Sequence, residues 1–335
     1  MIKISERIKN HWDKILLLLT LAFWIISVAS RIIKSGYVYG LNFELFQPDG
    51  GNYLKLTQDF SNFDFQTSSV YSWTRPLYPI LSVPFYELVG INGMLVIPSL
   101  SLLFIGILFQ YVSKVKKDRV VLLFCFLVIT SSSTVLRWSV ADLTDSLHLT
   151  MFALCAVGLY RNWTFKTLLI VVLLGALARP MGPIWTALFL PFISGNHGKK
   201  RREFVFLTIT PTLLFLINTL LMIKFGGFAP SSKSLMQQVI EIPLNFLKLI
   251  FVEFGQIAVL DRVLFYSVIA TLVLAITDKS DKWTRAHLYI TIASFLVSAW
   301  IGVLGVNFRY QLPMLVSGSL VTLNFMQKRV YKYFF

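Results

Sequence analysis

Ten runs without a single Asp, Glu, Lys or Arg recur along this chain, at 15–30, 88–113, 120–136, 146–160, 167–178, 180–198, 204–223, 263–277, 286–308 and 310–327. They constrain the fold more than any motif does, because a chain in lipid must satisfy each backbone N–H and C=O internally, and a helix does so within itself. A span takes about 20 apolar residues, with about 17 as the lower edge. Several runs are shorter, so their helices borrow polar flanks or stop short of the full bilayer. The pattern predicts an all-α polytopic membrane protein with about ten transmembrane helices, in one domain over 1–335. Composition agrees: 56% of residues are hydrophobic and 14% charged, at mean hydropathy +0.69, against roughly 25% charged in a soluble domain. The first run follows a basic stretch, and no small-residue cleavage site comes after it at 31–34, so a retained first span is expected.

The formal charge of +15 is unevenly spread. Segments 1–14, 114–119, 161–166, 199–203, 278–285 and 327–335 hold 20 of the 31 Lys and Arg in 48 residues; the remainder holds 11 basic and 10 acidic residues. Cytoplasmic loops are enriched in Lys and Arg, so these segments are placed inside, with both termini cytoplasmic. The positive charge is then topological and does not argue for nucleic acid. Trp12, Trp73, Trp138, Trp163 and Trp283 fall at span edges, where interfacial anchors belong. Cys125 and Cys155 lie deep in apolar runs, as packed thiols rather than a disulfide or metal pair. The stretch "SLMQQVIEIPLNFLKLIF" reads as a helix in the interface, with a re-entrant helix or a further pair of spans as alternatives.

No GxGxxG, P-loop, HExxH, CxxC or GxSxG occurs, and His11, His148, His197 and His287 are scattered. The informative residues are the charges of the outer face. In "QPDGGNYLKL", Gly50 and Gly51 free the backbone for a tight fold or the close approach of a ligand. Tyr53 shares a face with Asp49 if a helix begins there, and Asp49 is then either its N-cap or a reactive acid. "SVYSWTRPLYPILSVP" carries Arg75, a headgroup anchor or a phosphate ligand, and its Pro76, Pro79 and Pro84 argue against a regular straight helix. "RWSVADLTDSLHL" places Arg137, Asp142 and Asp145 before the fourth span. The two acids stand three apart, on one face of a helix, as caps or as carboxylates at membrane depth, which are costly and mark function. "LARPMGPIW" puts Arg179 in a broken helix at membrane depth, tolerated only inside protein or beside a water-filled cavity. "GVNFRYQLP" presents Arg309 and Tyr310, the arginine as a snorkelling anchor or a phosphate ligand. One acid facing several arginines suits group transfer from a phosphate leaving group: the base activates a hydroxyl and the cations stabilise the departing charge.

On "PDGGNYLKLTQDF", "RPLYPIL", the stretch from "ADLTDSLHL" through "LARPMGPIW", and "FRYQLPML", the chain resembles the GT-C superfamily of integral-membrane glycosyltransferases, in particular bacterial and mannosyltransferase-like members. The resemblance implies a polyprenyl-phosphate-linked sugar donor, an extracytoplasmic site in the bacterial plasma membrane, and a role in cell-envelope glycan biosynthesis. It also implies an essential first-loop acid, which maps to Asp49. Many members pair that acid with a second; here the partner position is Gly50, which favours a single-base mechanism without a metal or other cofactor. The acceptor is a glycan, a lipid or a protein. Three activities are consistent with these residues: an inverting glycosyltransferase with Asp49 as base, a transporter or flippase of lipid-linked glycan, and a surface-glycan polymerase or ligase. Candidate substrate-binding residues are Tyr53, Arg75, Arg137, Asp142, Asp145, Arg179, Arg309 and Tyr310.

Overall fold

A computed structural model of the chain describes residues 2–34, 48–64, 73–193, 198–224, 237, 240–245, 273, 281–301 and 310–331. The elements among them are all helical. In chain order they are α1 (Ile2–Lys34), α2 (Pro48–Asn62), α3 (Leu77–Val89), a 3-10 turn (Gly90–Leu95), α4 (Val96–Val112), α5 (Lys116–Ser131), α6 (Ser133–Val140) and α7 (Asp145–Tyr160). There follow α8 (Phe165–Ala178), α9 (Gly182–Ile193), α10 (Lys199–Lys224), α11 (Lys282–Ile301), α12 (Leu312–Phe325) and a π turn (Met326–Val330). Three stretches, Trp12–Ile33, Leu77–Val112 and Lys199–Met222, are long and apolar enough to cross a bilayer. α7, α8 and α9 are apolar but shorter; at about 1.5 Å per residue they reach only part of a core about 30 Å thick. The protein is an all-α membrane protein. Most of the stretch expected as an interfacial helix, and the run at 263–277, lie outside the described residues.

α7 is the centre of the bundle. It packs on α4, α6, α8 and α12 and is buried on every side, Phe152, Ala153, Cys155, Ala156 and Val157 being fully enclosed. An apolar stripe on one face cannot serve a helix enclosed all round, which is why its sequence shows none. α1 and α10 lie at the periphery and turn Leu18, Ile26, Phe206 and Leu220 outward, the surface that lipid covers. At the α7–α8 reversal Asn162 takes a left-handed φ of 55°, a conformation that asparagine tolerates at helix ends, and Trp163 N–H bonds Gly158 O at 2.8 Å.

The described parts of the six basic segments gather at one end. Arg119 bridges α5 to Asp13 of α1 at 2.7 Å, and Asp118 accepts from Ser113 and Gln327, each at 2.6 Å. Lys328 pairs with Asp281 at 3.3 Å, and Arg161 stacks on Tyr111. Segment 199–203 joins through Phe204, stacked on Phe192, which meets Trp283. Two expectations change. Trp283 is a packed residue, 8% exposed between Tyr160 and Phe192, rather than an interfacial anchor. The prolines do not break α3: Pro76 is its N-cap, Pro79 falls in the first turn where no intrahelical N–H is needed, and the helix runs on through Pro84. The break comes instead at Gly90, at φ 65°, where glycine avoids the Cβ penalty.

Gly175 of α8 has room for a hydrogen only, because a Cβ there would strike the Trp185 ring. Gly175→Val is expected to lower stability by about 1–3 kcal/mol through overpacking, read as thermal unfolding in detergent. Gly51→Ala, where nothing lies within 4 Å, is the control; in a helix interior it gains roughly 0.5–1 kcal/mol.

Candidate functional site

At the end away from the basic segments, charged side chains sink into the bundle. α2 begins at Pro48, a residue pre-set for a first helical position, so Asp49 lies inside its first turn rather than at an N-cap outside it. The next residue, Gly50, is buried against the Asp142 carboxylate, which occupies the space a Cβ would take. One turn on, Tyr53 is fully enclosed, with its ring edge-on to Tyr78 at 5.6 Å. Its hydroxyl accepts from Arg75 Nη1 at 2.9 Å. Tyr78 in turn donates to Met94 O at 2.7 Å. α2 is further tied to α3 by Gln58 donating to Tyr86 at 3.0 Å and by the Ser61–Glu87 hydrogen bond.

The second half of the site is the bend at 141–144 between α6 and α7, and every residue from 139 to 150 is buried. Asp145 opens α7 and forms an ion pair with Arg179; their side chains are 0% and 4% exposed. Arg179 caps the end of α8 with an extended backbone, and its N–H bonds Gly175 O at 2.9 Å. Its guanidinium lies 4.8 Å from the Tyr310 ring centroid, a cation–π geometry. Residues 179–181 form a true reversal. α8 starts beside Phe206 and ends at Asp145, whereas α9 starts beside Pro211 and Phe215 and ends beside Phe204. This irregular backbone sits inside protein, one of the two settings in which membrane depth tolerates it.

The bundle therefore brings Tyr53 to Arg75, Asp142 to the first turn of α2, and Asp145, Arg179 and Tyr310 to one another. Arg137 is half-buried on α6 at the same end. The expectation that Asp142 and Asp145 share a helical face is wrong: Asp142 lies in the bend, outside the helix, so one acid meets Gly50 and the other Arg179. Arg309 and the side chain of Asp49 lie outside the described residues. Sequence reading missed His148, one turn below Asp145, whose Nε2 accepts from Trp185 Nε1 at 2.9 Å, which leaves the ring proton of the neutral imidazole on Nδ1. Its spacing from Asp145 in an otherwise apolar run was the available signal.

Chemically, the site offers buried carboxylates beside guanidinium groups in a low-dielectric surround, where electrostatic interactions are strong. That arrangement fits an anion and a hydroxyl together. No family model, curated protein or solved structure matches this chain.

Breaking a buried pair strands a charge and costs about 3–5 kcal/mol, while an apolar replacement of both partners is often neutral. Arg179→Ala or Asp145→Ala is thus expected to lower the unfolding temperature sharply in detergent, and Arg179→Met with Asp145→Leu to recover most of it. A double-variant loss equal to the sum of the two single losses would show that the pair carries no coupling.

Proposed function

We propose that the protein is a membrane glycosyltransferase of the GT-C type, with about ten spans, both termini cytoplasmic, and its site on the extracytoplasmic face of a bacterial plasma membrane. It takes a sugar from a polyprenyl-phosphate donor and delivers it, with inversion, to a hydroxyl of a glycan, lipid or protein acceptor. Asp49 removes the proton from that hydroxyl, the oxygen attacks the anomeric carbon, and the bond from carbon to phosphate oxygen breaks. The electron pair leaves on the polyprenyl phosphate, whose charge Arg179, Arg75 and Arg309 neutralise. No metal or other cofactor takes part. The observation that supports this reading most is the Arg179–Asp145 pair under Tyr310. It is a charged cluster enclosed in an apolar bundle, at the end opposite the basic segments and beside the helix that bears Asp49. Ionisable groups at such depth are expensive and mark substrate paths.

A transporter of lipid-linked glycan is the second reading. Arg179 is already neutralised by Asp145, and a lipid phosphate that displaces the acid would act as the switch a carrier needs. A surface-glycan polymerase or ligase would share the donor chemistry and differ in the length of its acceptor.

Purified protein incubated with polyprenyl-phosphate sugars and short acceptors is expected to release polyprenyl phosphate. Asp49→Asn should slow release by at least about 100-fold, the low end of general-base catalysis. Wild-type rates in that variant sink the assignment of the base. Movement of intact donor across vesicles without cleavage would favour the carrier.

A further inference from the structure

Hydroxyl side chains in this protein have a default partner. Thr20, Thr57, Thr130, Thr150, Thr208 and Thr212 each donate to the carbonyl four residues earlier, at 2.9–3.0 Å. This is the usual way a helix absorbs a buried hydroxyl. Ser132 and Thr164 have the other ordinary fate and cap α6 and α8. Ser139, Thr144 and Ser146 follow neither course. All three are 0% exposed, and none of their hydroxyl oxygens has a hydrogen-bond partner among the described residues. Thr144 is the contrast that matters most: it occupies the N-cap of α7, yet its side chain makes no cap. A buried hydroxyl without a partner costs about 1–3 kcal/mol. Three such groups within eight residues, interleaved with Asp142 and Asp145, are too concentrated for packing to explain.

We propose that Ser139, Thr144 and Ser146 form a subsite for a hydroxyl-rich ligand, a sugar ring, with Asp142 and Asp145 as its acceptors. Serine and threonine hydroxyls donate and accept, and carboxylates only accept, which together match the mixed donors and acceptors of a sugar. The subsite rests on the reading of this end as a glycan site, but not on bond cleavage. The sugar belongs either to the lipid-linked donor or to the acceptor, and binding separates the two.

The experiment measures ligand-induced thermal stabilisation of the full-length protein in detergent, for wild type, Ser139→Ala, Thr144→Val, Ser146→Ala and the triple variant. The probes are polyprenyl phosphate, the same lipid bearing a hexose, and a short free oligosaccharide. Without ligand, the variants are expected to melt at or above the wild-type temperature, because removal of an unsatisfied buried hydroxyl costs nothing. With ligand, each should weaken the sugar-dependent part of binding by about tenfold, the value of one hydrogen bond, and leave the response to polyprenyl phosphate unchanged. A loss seen with the hexose-bearing lipid assigns the subsite to the donor sugar; a loss seen with the oligosaccharide alone assigns it to the acceptor. Variants that bind sugar as wild type does, or that melt well below it without ligand, overturn the subsite in favour of resident water or packing. A wild type that discriminates the hexose yet releases no polyprenyl phosphate overturns the transferase and leaves the subsite standing. A wild type with no sugar-dependent response overturns the subsite.

Discussion

A buried ion pair ties the candidate-site end of this protein together. Arg179 and Asp145 are each nearly inaccessible to solvent, and neither charge could be carried into an apolar bundle alone, since the desolvation penalty runs to several kcal/mol per ion. Their attraction fixes the reversal after α8 to the first residue of α7, and the guanidinium holds the start of α12 through Tyr310. Three chain segments far apart in sequence thus converge on one point. The pair is weak evidence for stability as such, because apolar side chains would fill the same space at no greater cost. Its retention is better explained by what the site has to hold.

The surrounding architecture serves that convergence. α7 is enclosed by α4, α6, α8 and α12, so its N-terminal turn and the bend before it are kept from lipid on every side. Polar groups can persist there only if protein or ligand meets them. α2 then lies over Asp142 through Gly50, whose missing side chain is the condition for that contact. Trp185 wedges against Gly175 and bonds His148, bracing α8 and α9 against α7 one turn below the pair. Small residues that let large ones approach closely are the usual means of packing helices when lipid supplies no hydrophobic drive between them.

Much of this was legible beforehand. The charge-free runs fall on α1, α4, α5, α7, α8, α9, α10, α11 and α12, matching α7 and α8 to within two residues but missing the start of α1 by 13 and that of α4 by 8, because a helix in lipid needs length and low polarity but runs on past the apolar stretch. Segregation of Lys and Arg into alternate loops foretold the clustered basic end. "QPDGGNYLKL" signalled a helix start, although with Asp49 as its possible cap rather than inside its first turn. Less could be read of "ADLTDSLHL". Spacing suggested one helical face for both acids, but helix onset at Asp145 put Asp142 in a bend, and a one-residue difference in where a helix starts redirects every side chain before it. The prolines of α3 misled for a related reason: their cost depends on which turn they occupy, and tertiary packing sets the turn.

By itself, the sequence determined that this chain is a helical membrane protein whose basic segments alternate with the segments that carry Arg75, Asp142, Asp145 and Arg179. Hydropathy and charge act locally, and local rules suffice for that. Only the tertiary structure decided the pairings: Asp145 with Arg179, Asp142 with Gly50, Arg75 with Tyr53, and His148 with Trp185. The same holds for the three hydroxyls at and beside the bend that have no hydrogen-bond partner among the described residues. Which of several arginines meets which acid depends on how helices distant in sequence pack, and no periodicity along one helix records the neighbour it will meet.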